Sequence, residues 1–394
     1  MKGIKEKDAK YIAGTYARFP IAIKYGKGSV LYDENGKSYI DMGSGIAVNI
    51  FGLQDDVWKE AVIEQMNKYQ HTSNLYYTEP CVKLAELLCE KTGMKKVFFS
   101  NSGAEANECA IKVIRKYQED KKSGKYNIIT LKNSFHGRTL ATLAATAQDE
   151  FHKNFLPLTP GFVAVEAGNL EALKKAVKDH NAAGILFETI QGEGGVNPLS
   201  YEYVKGIEKI AHENDMVIAV DEVQTGNGRT GELYSYMGYG ITPDIVTTAK
   251  GIGGGLPIGI TMMGEKTEGV LTKGTHGSTF GGNPIAAAGA YSILTRINQG
   301  LLEGIKQKSE YIFEILQGKK GIKSVTGKGL MIGIETERKA DNIVNDCIEK
   351  GVLVLKAKNK IRLLPALNIG RTELIKAMDI ILECIAIEDK EENN

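Results

Sequence analysis

Nothing in the 394-residue sequence approaches the ~20 consecutive apolar residues of a membrane span, and Met1 to Lys10 is too charged for a secretory signal. An excess of one charge is missing too. Lys and Arg total 49 against 48 Asp and Glu, so the net charge of +1 gives neither nucleic acid nor a membrane surface a reason to bind. Cysteine is scarce: Cys81, Cys89, Cys109, Cys347 and Cys384 form no Cys-x-x-Cys pair, and the odd count argues against a disulfide framework. Buried free thiols in a reducing cytoplasm are the expected state. The six histidines are scattered without His-Glu-x-x-His spacing, so no metal centre is expected. No repeat or low-complexity linker is visible.

What is present is an ordinary globular composition, 42% apolar and 25% charged, in a chain long enough for about two domains. Short apolar runs alternate with helical patterns, as at Asn127 to Leu131, Gly161 to Val165 and Gly184 to Glu188. That alternation predicts an α/β protein with a mostly parallel sheet covered by helices on both faces. From about residue 296 the strands become fewer and shorter, so 51–295 reads as the large domain and 296–394 as a smaller α+β domain joined by residues 1–50. The polar tail from Glu388 to Asn394 is expected to fray.

Two strand ends carry chemistry. Lys250 closes the run Asp244-Ile245-Val246-Thr247-Thr248-Ala249 and precedes Gly251-Ile252-Gly253-Gly254-Gly255. Desolvation there disfavours an ammonium, which brings a neutral amine able to form a Schiff base within reach of neutral pH. Asp221 ends a second run, Met216 to Val220. Carboxyl ends of neighbouring parallel strands, about 4.8 Å apart, can bracket one aromatic ring. Pyridoxal 5'-phosphate needs such a pair: a lysine for its aldehyde and a carboxylate for its ring nitrogen. Its phosphate needs amide donors, and Ser100-Asn101-Ser102-Gly103-Ala104-Glu105, turning from Val97-Phe98-Phe99 into a helical pattern, offers them.

With these residues the chain resembles the class III pyridoxal-phosphate aminotransferases of fold type I, and among them the acylornithine branch. The likeness runs nearly end to end. It is carried by Thr15-Tyr16-Ala17-Arg18, Ser73 to Pro80, Phe135-His136-Gly137-Arg138-Thr139, Gln191-Gly192-Glu193-Gly194-Gly195, Asp221 to Gly226 with Gly228-Arg229-Thr230-Gly231, His276 to Pro284, and Arg362-Leu363-Leu364-Pro365.

The resemblance implies a role for each matching position. Lys250 would hold the cofactor and then act as the base, with Asp221 on the pyridine nitrogen. Ser102, Gly103 and Ala104 would take the phosphate, Phe135 would stack on the ring, and Glu222, Val223 and Gln224 would complete the cofactor site. Thr279 would reach the phosphate of the other subunit of a homodimer. Arg138, with Ser278 nearby, would take the carboxylate of acetylornithine, and Arg362 a carboxylate of glutamate or 2-oxoglutarate, because a planar guanidinium grips carboxylates through paired hydrogen bonds. Glu193 would pair with Arg362 when the acylornithine is bound and swing away for the dicarboxylate, and Tyr16 would border the distal pocket. The implied reaction moves the terminal amino group of N2-acetylornithine to 2-oxoglutarate. Succinylornithine, ornithine and 4-aminobutyrate enzymes share many of these residues.

One departure stands at Gly52-Leu53-Gln54-Asp55-Asp56, where the family carries Gly-His and His-Pro; it puts the local loop and the subunit contact in doubt. A dinucleotide reading of Gly251 to Leu256 fails because Leu256 occupies the place of the last Gly or Ala. A non-catalytic protein on this scaffold is opposed by the presence of Lys250.

Overall fold

The computed structural model describes residues 2–387; the tail from Glu388 to Asn394, expected to fray, lies outside them. A seven-stranded sheet forms the centre. Across it the strands run Lys96–Ser100, Gly259–Met263, Ile245–Thr248, Val217–Asp221, Ala182–Phe187, Asn127–Leu131 and Phe162–Val165. All are mutually parallel except Gly259–Met263, which is antiparallel to both neighbours. Only residues 249–258 separate it from Thr248, too short a stretch for the helical crossover that a parallel return requires.

The apolar runs are continuous because both faces of this sheet are covered. Alternate residues serve opposite cores: Ile185, Phe187, Ile218, Val220 and Val246 join one cluster, while Leu186, Val217, Ala219 and Ile245 join the other with Cys109, Val113 and Ile114 of helix Gly103–Asp120. Helices Asp56–Lys68, Glu79–Thr92 and Pro284–Arg296 pack together against the first face. All five cysteines are free, Cys81 and Cys89 half-buried and the others buried.

Beyond this unit, Ile322–Lys328, Met331–Thr336, Lys360–Leu363 and Leu355–Ala357 form an antiparallel sheet, packed with helices Gln299–Leu316, Ala340–Glu349 and Arg371–Ala386. A further sheet combines Ile23–Lys27, Val30–Asp33 and Ser38–Asp41 with Val352–Leu353, which pairs parallel to Ser38–Asp41.

Candidate active site

Strand register sets the site. Asp221 pairs with Thr247, three residues before Lys250, and Val220 pairs with Phe187, so Glu188, Asp221 and the Lys250 turn emerge side by side at one sheet edge. Lys250 and Asp221 line a single cavity of about 440 Å³, together with Ser102, Gly103, Ala104, Asn107, Phe135, His136, Arg138, Glu188, Val223 and Gln224.

Lys250 opens a 3₁₀ turn, Lys250–Gly253, with a positive φ of 47°. A side chain so placed is strained and must be held by its surroundings. The turn is backed by Trp58, whose indole N–H donates to the Gly253 carbonyl at 3.1 Å. Gly254 has φ of 58°, and a Cβ there would lie 2.8 Å from that indole nitrogen, so glycine is required. Burial lowers the Lys250 pKa; Glu193 acts against this and Arg362 with it. No hydrogen bond holds the amine among the described residues, and it is available to a ligand.

Asp221 is held on all sides. Its Oδ2 accepts from Asn107 Nδ2 at 2.7 Å and His136 Nδ1 at 2.8 Å, and Oδ1 accepts from the Val223 amide at 3.0 Å. Asn107 is itself oriented by Thr247, whose hydroxyl donates to Oδ1 at 2.7 Å. Three donors fix the carboxylate without removing it from the cavity wall.

The loop into helix Gly103–Asp120 is reciprocally capped. Ser102 Oγ accepts from the Glu105 amide at 3.1 Å, and Glu105 accepts from the Asn101 amide at 2.6 Å. The amides of Gly103 and Ala104 have no intrahelical partner and line the cavity, as an anion requires. A Cβ on Gly103 would sit 2.7 Å from Val223 Cγ1. The residues present thus fit pyridoxal 5'-phosphate: an unbonded amine, an anchored carboxylate, unpaired helix-terminal amides, and apolar surface from Phe135 and Val223 in one cavity.

Two arginines flank it. Arg362, on an inner strand of the antiparallel sheet and paired on both sides, donates from Nη1 to Glu193 at 2.6 Å and to Gln224 Oε1 at 3.2 Å, while its buried Nε has no partner among the described residues. Gln224 also donates to Glu193 at 3.3 Å. Burial would raise the Glu193 pKa, but Arg362 outweighs it and the net shift is downward. Arg138 is different: it is exposed, lies 4.0 Å from the Phe151 ring centre and 5.4 Å from that of Phe135, and has no hydrogen-bond or ion-pair partner among the described residues.

Not every expected residue comes to the cavity. Glu222 turns away into the core, where its Oε2 accepts from Thr225 at 2.5 Å and Oε1 from the Tyr236 amide at 2.7 Å, because it follows Asp221 directly and projects to the other side. Tyr16 is 74% exposed, with the Arg18 guanidinium over its ring, and does not line the cavity. Ser278 accepts from Asn101 Nδ2 at 3.1 Å and the Gly281 amide at 2.9 Å, tying its loop to the phosphate loop, and it too is off the cavity wall within one chain. Thr279 beside it is exposed.

Four participants carried no assigned role in the sequence: Asn107, His136, Glu188 and Phe151. Glu188 bore the signal that marks Asp221, a carboxylate closing an apolar run. Its oxygens accept from the Phe135 amide at 3.0 Å and the Gly192 amide at 3.1 Å, bridging two site loops, and burial pushes its pKa up to about 7.

The "Aminotransferase class-III" family model matches residues 11–385. An acetylornithine aminotransferase of Haemophilus ducreyi is 45% identical, covering 97% of this chain and 98% of its own length. A succinylornithine transaminase of Citrobacter koseri is 42% identical over 95% of both chains. The ornithine aminotransferase of Toxoplasma gondii, solved with partial occupancy of PLP at its active site, superposes with a TM-score of 0.92 at 30% identity, covering 97% of this chain and 93% of that one.

Proposed function

We propose, from the premise that this chain belongs to the class-III aminotransferases, that it moves the terminal amino group of N2-acetyl-L-ornithine to 2-oxoglutarate. The products are N-acetyl-L-glutamate 5-semialdehyde and L-glutamate, a step of arginine biosynthesis. Pyridoxal 5'-phosphate, when bound, supplies an aldehyde that condenses with amines and a ring that accepts the electrons left by loss of a proton.

The chain supplies the rest. Lys250 Nζ takes and returns the proton of the substrate carbon that bears the amine, a task its burial-lowered pKa suits. Asp221, fixed by His136, Asn107 and Val223, is the acceptor for a ring N–H. Gly103, Ala104 and Ser102 bind the phosphate, and Phe135 and Val223 present apolar surface to the ring.

The observation that carries the substrate reading is the inequality of the two arginines. Arg138 is free, whereas Arg362 is neutralised by Glu193 at 2.6 Å. Such a site accepts a molecule with one distant carboxylate and no second carboxylate beside the reacting carbon, which describes an acylornithine entering through its terminal amine. For 2-oxoglutarate or glutamate, Glu193 must leave Arg362 to the second carboxylate, and the glycines on both sides of it give that loop room. In Glu193→Ala, single-turnover rates should fall for acetylornithine relative to glutamate by roughly tenfold or more. An unchanged ratio of the two half-reactions would refute the switch. Succinylornithine meets the same two arginines, and a panel of acylated and free diamines in the same assay ranks the substrates.

The reading includes a homodimer in the cytoplasm. Asn74 donates to the carbonyls of Ser278 and Gly281 at 2.9 and 2.8 Å, joining a loop that exposes Leu75, Tyr76 and Tyr77 to one that exposes Thr279 and Phe280. An apolar patch of this kind favours burial against a second copy, from which Thr279 would reach the other subunit's phosphate.

A further inference from the structure

We propose that Phe151 is a specificity-determining residue: its ring is the platform that presents Arg138 to the distal carboxylate of the substrate. The inference rests on the reading that Arg138 binds that carboxylate.

The guanidinium carbon lies closer to Phe151, at 4.0 Å, than to Phe135, at 5.4 Å, and the two rings meet edge to face with centres 5.8 Å apart. An aromatic face attracts a guanidinium and uses none of its N–H groups. Arg138 has no partner for those groups among the described residues, so Phe151 orients the cation while leaving its donors to a ligand. An acidic residue in this place would orient it equally well and consume the donors.

Nor does Phe151 serve the interior. It is half-buried and belongs to none of the apolar core clusters, nor to the residues packed against them. Its position is nevertheless fixed from three directions. The Phe151 amide donates to the Gln148 carbonyl at 3.1 Å, and Gln148 Nε2 donates to the carbonyl of Ser134, next to Phe135, at 3.0 Å. His152 Nε2 donates to the carbonyls of Thr146 and Leu143 at 2.6 and 3.0 Å. Glu150 pairs with Lys358 at 2.9 Å, on the turn that leads into the strand carrying Arg362. The short helix Asp149–His152 is therefore braced against the supports of both arginines.

The test compares Phe151→Leu, Phe151→Met, Phe151→Tyr and Arg138→Ala as holoenzymes. Glutarate, a dicarboxylate with neither amine nor ketone, is titrated by calorimetry, and kcat and KM are measured with acetylornithine. Leu and Met should weaken glutarate roughly three- to tenfold and raise KM by a similar factor, with kcat within about twofold of the parent. Tyr, which keeps the aromatic face, should bind as the parent does. Should the Leu variant fail to fold, Met, of similar volume, gives the same reading. Parental glutarate affinity in the Leu or Met variant, with affinity lost in Arg138→Ala, overturns the role of Phe151 alone. Parental affinity in Arg138→Ala overturns the assignment of Arg138 beneath it.

Discussion

Asp221 and Glu222 are adjacent carboxylates at one strand end with opposite fates. Asp221 is surrounded by donors at the cavity wall; Glu222 is enclosed by the core, and burial pushes its pKa from 4.5 up to about 7, with Thr225 and the Tyr236 amide only partly offsetting this. The folded protein therefore holds a proton that the unfolded chain releases near its ordinary value. Where the folded state binds more protons, stability falls as pH rises, so the loss runs from about 4.5 to about 7. Glu188 shifts in the same direction, again by burial first. Glu222→Gln should remove part of that slope, up to roughly 3 kcal/mol. Urea midpoints at pH 5 and pH 7.5 report it, and an unaltered difference between them would count against a buried, protonated Glu222.

Lys250 poses the complementary case. Its depressed pKa means that the amine loses its proton on folding more readily than in the open chain, and the fraction able to react grows as pH rises through that lowered value. Lys250→Ala should cost at least about a thousandfold in turnover. Borohydride reduction of the cofactor-loaded protein, followed by peptide mapping, should mark Lys250 in the parent and nothing in the variant.

The turn behind Lys250 illustrates what an element contributes. Gly254 must hold φ of 58° against Trp58, so Gly254→Ala should destabilise the protein by more than about 1 kcal/mol and loosen the lysine. A lowered melting temperature together with faster loss of cofactor on dialysis is the expected result. Cofactor retention equal to the parent would show that the turn tolerates displacement.

Elements are also the level at which the sequence reads most clearly. The apolar runs ending at Asp221, Ala249, Glu188, Leu131 and Val165 correspond to five of the seven strands of the central sheet, because burial on both faces leaves few polar residues within them. What a run cannot declare is its place across the sheet. That Glu188 lies beside Asp221 follows from the pairing of Val220 with Phe187, distant in the chain. Motif agreement located Lys250, Asp221, Arg138, Glu193 and Arg362, yet it carries no side-chain direction, which is why Glu222 was expected at the cofactor. Phe151 was illegible for another reason: a single aromatic between Glu150 and His152 has no periodicity, and its partner Arg138 belongs to a different loop.

At the scale of the whole molecule, the proposed dimer, in which Thr279 reaches the other subunit's phosphate, makes a specific demand on mixed assemblies. Neither Lys250→Ala nor Thr279→Asp should be active alone, the first lacking its base and the second placing a negative charge against the partner's phosphate. Refolded together in equal amounts, they should recover about a quarter of parental activity, since half the dimers are mixed and each of those has one intact site. No recovery in a mixture shown to contain mixed dimers would mean that Thr279 serves its own subunit.

The parallel pairing of Ser38–Asp41 with Val352–Leu353 has a consequence for how the protein is made. A ribosome releases the first of these strands more than three hundred residues before the second exists. Until Val352 and Leu353 have been made, that hydrogen-bonding edge stays open to any other nascent polypeptide. Truncation before Val352 should therefore yield chains that associate through the exposed edge of Ser38–Asp41, a cost separate from the loss of the residues that follow.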